Sequence, residues 1–146
     1  MMNYDRLNVS LYEKLTGYFS DGISVDRCDE NMRLVLSVRD TIYAILNSRQ
    51  GALKHLPDYG LPDLSVIYHH LPASAQSLKR HISYTLLRYE PRLKTIHVEQ
   101  KRAEADVLLS YELNCCLWQG EQVCFDSHFL SGGRIRLIGY YKKYLQ

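Results

Sequence analysis

The residues that could ligate a metal or act as a nucleophile by type are six histidines and four cysteines. His69 and His70 are adjacent, so their side chains diverge on a helix, and the sequence contains neither His-Glu-x-x-His nor Cys-x-x-Cys. Cys115, Cys124 and His128 form a weak metal candidate, because zinc sites usually draw ligands from loops and these residues fall in predicted strands. The sequence therefore favours core packing for them and predicts no metal and no cofactor.

The carboxylates near predicted turns are Asp58, Asp63 and Glu90. A glycosidase needs two carboxylates across a cleft, one of them in an apolar pocket, whereas these acids read as turn former, helix cap and ion-pair partner. There is no Gly-rich phosphate loop and no Gly-x-Ser-x-Gly motif. The residues therefore predict no catalytic site.

Apolar residues recur three or four positions apart in two long segments, which is the pattern of amphipathic helices. This spacing predicts helices over residues 31–48 and 74–89. Asn31 is the expected N-cap of the first helix and Gly51 its expected end. A short third helix is expected after Asp63, which is well placed to cap it.

The pattern changes at residues 89–93 (YEPRL). Pro91 has no N–H to donate and restricts Glu90 to extended backbone, so a helix that reaches Tyr89 should stop there. Apolar and polar residues then alternate, which is typical of strands. The expected strands cover residues 93–100, 106–118, 121–130 and 134–138.

Helices followed by an antiparallel sheet indicate the α+β class. We expect two to three N-terminal helices followed by a three- to four-stranded antiparallel sheet. Residues 1–30 are expected to form an N-terminal helical arm, and residues 31–146 a single domain.

The strands on either side of Gln119-Gly120 predict a hairpin whose register bears on the cysteines. One register places Cys115 opposite Cys124 but mixes apolar with polar partners. A one-residue shift exchanges the faces, so burial favours the shifted register, in which the thiols stay unbonded. That register pairs Leu117 with Val123, Cys115 with Phe125 and Tyr111 with Phe129.

The net charge of +2 and the lack of a long apolar run limit the location of the protein and the classes of its partners. They predict an intracellular protein without membrane insertion and without a nucleic-acid partner. A nucleic-acid-binding module stays open as a remote alternative, because basic residues alternate with tyrosines near the C-terminus. The basic residues concerned are Arg134, Arg136, Lys142 and Lys143.

Three motifs occur in the order and spacing of one known family: residues 37–49 (SVRDTIYAILNSR), 59–63 (YGLPD) and 89–93 (YEPRL). Together with residues 10–15 (SLYEKL), they resemble the baseplate-wedge family of contractile tails, and specifically its type VI secretion members of the TssE type. The resemblance covers residues 10–100 well and the C-terminal sheet in outline.

The resemblance implies a non-enzymatic baseplate component docked at the inner-membrane secretion complex. It implies TssF-like and TssG-like baseplate subunits as direct partners, a TssK-like adaptor as an indirect one, and contractile sheath subunits. Glu90, Pro91, Arg92 and Leu93 would bind the helical core bundle of those partners. Glu90→Ala and Arg92→Ala should then fold normally and lose the partners. The sheet would nucleate sheath assembly by strand addition at an edge near Ile135.

The main alternative is a peptidoglycan hydrolase, because members of this family have carried a lysozyme label through phage history. The sequence speaks against it, because it lacks both the carboxylate arrangement and an export signal.

Overall fold

The computed structural model describes the backbone of residues 30–142 and the side chains of residues 32–137. In this part of the chain, three helices precede a four-stranded antiparallel sheet, which confirms the α+β prediction. The N-terminal arm predicted for residues 1–30 lies outside the described residues except for Glu30, and the boundary stays a prediction. The elements are α1 (Glu30–Leu46), α2 (Leu64–His69), α3 (Ser74–Tyr89), β1 (Leu93–Lys101), β2 (Val107–Leu117), β3 (Gln122–Leu130) and β4 (Ile135–Lys142).

Helix α1 carries the expected apolar stripe, and Val35, Val38 and Ile42 on it are buried. Its ends differ from the prediction. The helix already includes Glu30, so Asn31 lies inside the first turn and is not the N-cap. It ends at Leu46, well before Gly51, because the Ser48 N–H bonds the Ile45 carbonyl and tightens the turn. None of the helices in residues 30–142 is long and apolar enough to cross a bilayer.

The loop after α1 folds back so that residues 60 and 61 contact residues 48 and 50. These contacts account for the glycine and the leucine in the motif at residues 59–63. Leu61, which is fully buried, donates its N–H to the Ser48 carbonyl at 2.9 Å, and the Gln50 N–H donates to the Leu61 carbonyl at 2.9 Å. Gly60 has φ of +100°, and a Cβ there would lie 2.5 Å from the Ser48 oxygen. Only glycine fits at this approach.

The same motif starts the next helix. Asp63 accepts a hydrogen bond from the Ser65 N–H at 3.0 Å, which confirms it as the N-cap of α2. Helix α3 covers the predicted range of residues 74–89, and its apolar stripe is buried. It packs against both α2 and β1. The buried stripe consists of Ala75, Leu78, Ile82 and Leu86.

The strands lie in sequence order, β1-β2-β3-β4, so β1 and β4 are the edges of the sheet. Side chains alternate between a buried face and a polar face, as the sequence pattern predicts. Tyr111 on the buried face donates to the Ala75 carbonyl at 2.8 Å, which fixes the sheet on α3. Its ring meets Phe129 edge to face at 5.5 Å.

The β2–β3 register differs from the prediction by two positions. Leu117 and Glu121 close a three-residue loop, in which the Leu117 N–H donates to the Glu121 carbonyl at 2.8 Å and Gly120 has φ of +91°. Because the error is two residues and not one, the faces were predicted correctly while the opposite partners were wrong. The observed pairs include Leu113–Phe125, Cys115–Val123, Tyr111–Ser127 and Leu109–Phe129.

The described cysteines Cys115, Cys116 and Cys124 form no disulfide bond, which agrees with the prediction for Cys115 and Cys124. Cys115 pairs with Val123 and Cys124 with Asn114, so the two thiols fall on opposite faces of the sheet. Burial, followed by the charges of Cys124, Glu90 and Cys116, raises the pKa of Cys115 to about 12. Its thiol therefore stays protonated and serves as a packing group.

Candidate partner-binding corner

The turn from α3 into β1 comprises residues 90–93, and we call it the corner. The partner-binding site predicted from the sequence consists of these residues. Glu90 leaves the helix with extended backbone, φ −114° and ψ 93°, and donates its N–H to the Leu86 carbonyl at 2.9 Å. The Leu93 N–H donates to the Glu90 carbonyl at 3.1 Å. Because the next residue, Pro91, cannot continue a helix, the corner is fixed by backbone chemistry.

Glu90 and Arg92 form a bidentate ion pair inside the corner. Arg92 donates from Nε to Oε1 at 2.8 Å and from Nη2 to Oε2 at 2.9 Å, and its backbone N–H also reaches Oε1 at 3.0 Å. The Glu90 side chain has no exposed surface, whereas 18% of the Arg92 side chain is exposed. The pair is therefore neither an exposed surface pair nor two side chains directed separately at a partner.

This burial changes the expected effect of substitution. Removing one member of a buried pair leaves an uncompensated charge and typically costs about 3–5 kcal/mol. The expectation that Arg92→Ala and Glu90→Ala fold normally is therefore inconsistent with the structure. Any contact of Glu90 with a partner is indirect, because both of its carboxylate oxygens hold Arg92.

The other predicted site residues split between surface and core. Pro91 is exposed, whereas Leu93 is buried opposite Leu117 and anchors the strand. The corner thus presents Pro91 and the edge of Arg92 to solvent.

The tip of the β2–β3 hairpin lies against the corner, and sequence reasoning missed it. The Trp118 N–H donates to the Arg92 carbonyl at 3.1 Å, and 67% of the Trp118 side chain is exposed. Lys94 Nζ stands 5.6 Å from the centre of the Trp118 ring, within the range of a cation–π contact. The available signal was a tryptophan placed directly before the Gln119-Gly120 turn.

Next to the corner, Asp58 ties the loop after α1 to the end of α3. Its carboxylate accepts from the Tyr89 hydroxyl and lies 3.2 Å from Arg88 Nε. The Tyr89 hydrogen bond is the main cause that lowers the pKa of Asp58. Tyr59 meets the Tyr89 ring edge to face at 5.0 Å. Asp58 is therefore a structural acid that braces the helix end.

The start of the edge strand β4 is covered by the motif at residues 37–49. Asn47 Nδ2 donates to the Ile135 carbonyl, and the Ile135 N–H donates to Asn47 Oδ1, both at 3.4 Å. Arg49 Nη2 donates to the Gly133 carbonyl at 2.9 Å. Ile135 is buried and both of its backbone groups are hydrogen-bonded to Asn47, so Ile135 itself is not an exposed edge position.

The remaining candidates are the metal set of the sequence analysis and the basic residues of the nucleic-acid alternative. Within residues 30–142, no group of three or more His, Cys, Asp or Glu residues could hold a metal ion. His128 lines a polar depression of about 550 Å³ with Asp126 and Arg136, on the face opposite the core. Lys143 and the side chain of Lys142, from the nucleic-acid alternative, lie outside the described residues.

A family profile described as baseplate wedge protein gp25 matches residues 32–120. A solved structure of the baseplate complex from the type VI secretion system contains a chain that is 30% identical. The match covers 82% of this chain and 99% of that one, with a TM-score of 0.50.

A crystal structure of a putative tail lysozyme from Geobacter sulfurreducens matches at 17% identity and a TM-score of 0.37. It covers 75% of this chain and 88% of that one, a likeness too weak to bear on function. No curated protein matches significantly.

Proposed function

The chain belongs to the baseplate wedge protein gp25 family, and from this premise we propose that it is a non-enzymatic structural subunit of a type VI secretion baseplate. Its direct partners are TssF-like and TssG-like subunits, with a TssK-like adaptor reached through them. It acts in the cytoplasm at the inner-membrane secretion complex. The corner carries the contact with the helical core bundle of the partners.

The observation that supports this role most strongly is the buried Glu90–Arg92 pair in a turn between two rigid elements. A buried ion pair is weak evidence for stability, because apolar residues of similar volume often stabilise a fold as well or better. Here the pair fixes the backbone beside Pro91 and orients the exposed edge of Arg92. A preorganised corner suits binding to a bundle, because less side-chain entropy is lost on binding.

The arrangement of carboxylates supports a role without catalysis. A hydrolase acid must face substrate from an apolar pocket, whereas buried Glu90 is held by Arg92 and Asp58 by Tyr89 and Arg88. Asp63 is occupied as a helix cap. The acids predicted near turns are thus committed to the fold, so the hydrolase alternative has no support in this geometry.

Purification of a tagged chain coexpressed with TssF-like and TssG-like subunits tests the proposal. A stoichiometric complex is the expected result. A folded chain that elutes alone would contradict the proposed role.

The second contact of the proposed role is strand addition by the sheath at β4. No strand among the described residues pairs with the outer side of β4, so its edge can take a further strand. Asn47 bonds both backbone groups of Ile135, which shows that Ile135 directs them away from β3. Consecutive residues of a strand direct their backbone groups to opposite sides, so residues two positions apart direct them to the same side. Leu137 therefore directs its N–H to the open edge, as Ile135 does.

Leu137→Pro should therefore remove an edge donor without removing a bond to β3. We expect sheath assembly on purified baseplates, counted by electron microscopy, to fall at least about tenfold, because one ring contact per subunit is lost. Leu137→Ala is the matched control for lost packing, and it should seed normally.

The companion Arg136→Pro removes an N–H directed at β3, and it should lower the melting temperature more than Leu137→Pro. Normal sheath assembly on a folded Leu137→Pro variant would contradict strand addition through this edge.

A further inference from the structure

We propose that Trp118 and Lys94 form a second anchor beside the corner, which binds a partner segment carrying a large apolar side chain next to a carboxylate. This inference rests on the proposed function and extends the corner to the tip of the β2–β3 hairpin. The partner is the acidic face of a helix in the same core bundle.

Trp118 is the most exposed large apolar side chain among the described residues, at 67%. Single exposed apolar residues are ordinary in soluble proteins, so exposure by itself assigns no role. The position of Trp118 is what distinguishes it from the other exposed residues. Its N–H bonds the Arg92 carbonyl at 3.1 Å, so a partner seated on the corner lies next to the indole ring.

Two backbone hydrogen bonds within the β2–β3 hairpin hold the tip that carries Trp118. The Gly120 N–H donates to the Leu117 carbonyl at 2.9 Å, and the Leu117 N–H donates to the Glu121 carbonyl at 2.8 Å. Leu117 itself is buried in the core opposite Leu93. The indole is thus an exposed anchor on a rigid support, which is the arrangement of interface hot spots.

The positive charge of Lys94 beside the Trp118 ring indicates the charge that a partner should carry. Lys94 Nζ stands 5.6 Å from the ring centre, and no carboxylate of the described residues forms an ion pair with it. The carboxylate of Glu90, which is nearest in sequence, is buried and held by Arg92. Lys94 therefore presents its positive charge beside the indole, and a carboxylate on a partner is complementary to it.

The two contacts reinforce each other when a partner covers them. An apolar side chain stacked on the indole excludes water from the neighbouring Lys94 ammonium, and a carboxylate placed there then gains from the lower local dielectric. A cation–π pair that is weak at an exposed site also strengthens on desolvation. Loss of the indole should therefore weaken the charge contact as well.

The test uses the complete chain with coexpressed TssF-like and TssG-like subunits. Trp118→Ala should weaken the complex at least about tenfold, as expected for a tryptophan hot spot. Leu108→Ala is the matched control, because Leu108 is another exposed apolar residue, which lies near the start of β2, roughly 30 Å from Trp118 along the hairpin. Lys94→Glu should weaken binding more than Lys94→Gln, because it adds repulsion.

A direct readout follows from the fact that Trp118 is the only tryptophan in the chain. Fluorotryptophan incorporated into this chain before mixing reports on that single side chain by fluorine NMR. The free chain should relax strongly with a soluble paramagnetic chelate, and the complex should be protected from it.

The possible outcomes separate this inference from the proposed function. A stable complex in which Trp118 stays accessible to the chelate, or in which Trp118→Ala binds like the wild type, overturns the anchor and leaves the proposed function intact. A wild-type chain that binds none of these subunits overturns both. Protection of the indole together with selective loss in Trp118→Ala supports the anchor.

Discussion

Arg92→Ala should lower the free energy of unfolding of the isolated chain by about 3–5 kcal/mol. The substitution removes the guanidinium that holds Glu90 and leaves a carboxylate with no exposed surface and no ion-pair partner. Urea denaturation followed by circular dichroism measures the loss. A midpoint shift without a change in slope would assign it to stability.

The matched control for this prediction is Lys94→Ala, which truncates a cation two positions after Arg92, in β1. Lys94 is exposed and forms no ion pair with the described residues, so its removal should change the free energy of unfolding by less than about 1 kcal/mol. Equal effects of the two substitutions would show that the Glu90–Arg92 pair is not buried as described.

Gly60→Ala should be the most damaging single-methyl change in the described chain. A left-handed backbone costs a non-glycine residue about 1–3 kcal/mol, and the added Cβ would also lie 2.5 Å from the Ser48 oxygen. The neighbouring atom is backbone, which cannot rotate away. The bonds joining Ser48, Gln50 and Leu61 would have to open to relieve the overlap.

Gly51→Ala separates the two causes. Gly51 has a similar φ of +87°, but a Cβ there meets nothing within 4 Å, so only the backbone strain remains. The melting temperature should fall moderately for Gly51→Ala and much further for Gly60→Ala. Similar losses in both variants would mean that the Ser48 contact contributes nothing.

The elements of this fold could be predicted from local patterns because burial follows short periods. The stripe of α3, the stop before Pro91 and the alternation from Leu93 all lie within a few residues of sequence. The two faces of the sheet were predictable for the same reason. Each of these features depends on neighbours along the chain and not on distant contacts.

The hairpin register could not be predicted in this way, because it depends on the number of residues in the turn. Gly120 in a left-handed conformation allows a three-residue loop, and this shifts the opposite pairs from Leu109 to Cys116 by two positions. The contact of Asn47 with Ile135 could not be predicted either, for a different reason. It joins residues 88 positions apart, which no local pattern reports.

The sequence predicts a partner-binding site at the corner, but it does not predict the geometry that the structure shows there. The Glu90-Pro91-Arg92 pattern indicated a corner with opposite charges, whereas its burial follows from the packing of α3 on β1. The partners were inferred from the family resemblance, since composition and spacing carry no information about them. Trp118 was overlooked because its exposure and its bond to Arg92 depend on the turn.

We propose that the corner binds the core bundle of the baseplate. Glu90→Gln combined with Arg92→Met tests it most directly, because this pair of changes removes both charges and retains an oxygen for the backbone N–H of residue 92. Replacing both members of a buried pair destabilises far less than removing one of them. The double variant should therefore remain folded at the temperature of the experiment.

The deciding measurement is copurification of this double variant with TssF-like and TssG-like subunits, next to the wild type and with melting curves of both. We expect a stoichiometric complex for the wild type and a folded double variant that elutes without partners. A folded double variant that copurifies as well as the wild type would contradict it, and the Glu90–Arg92 pair would then be an internal brace only.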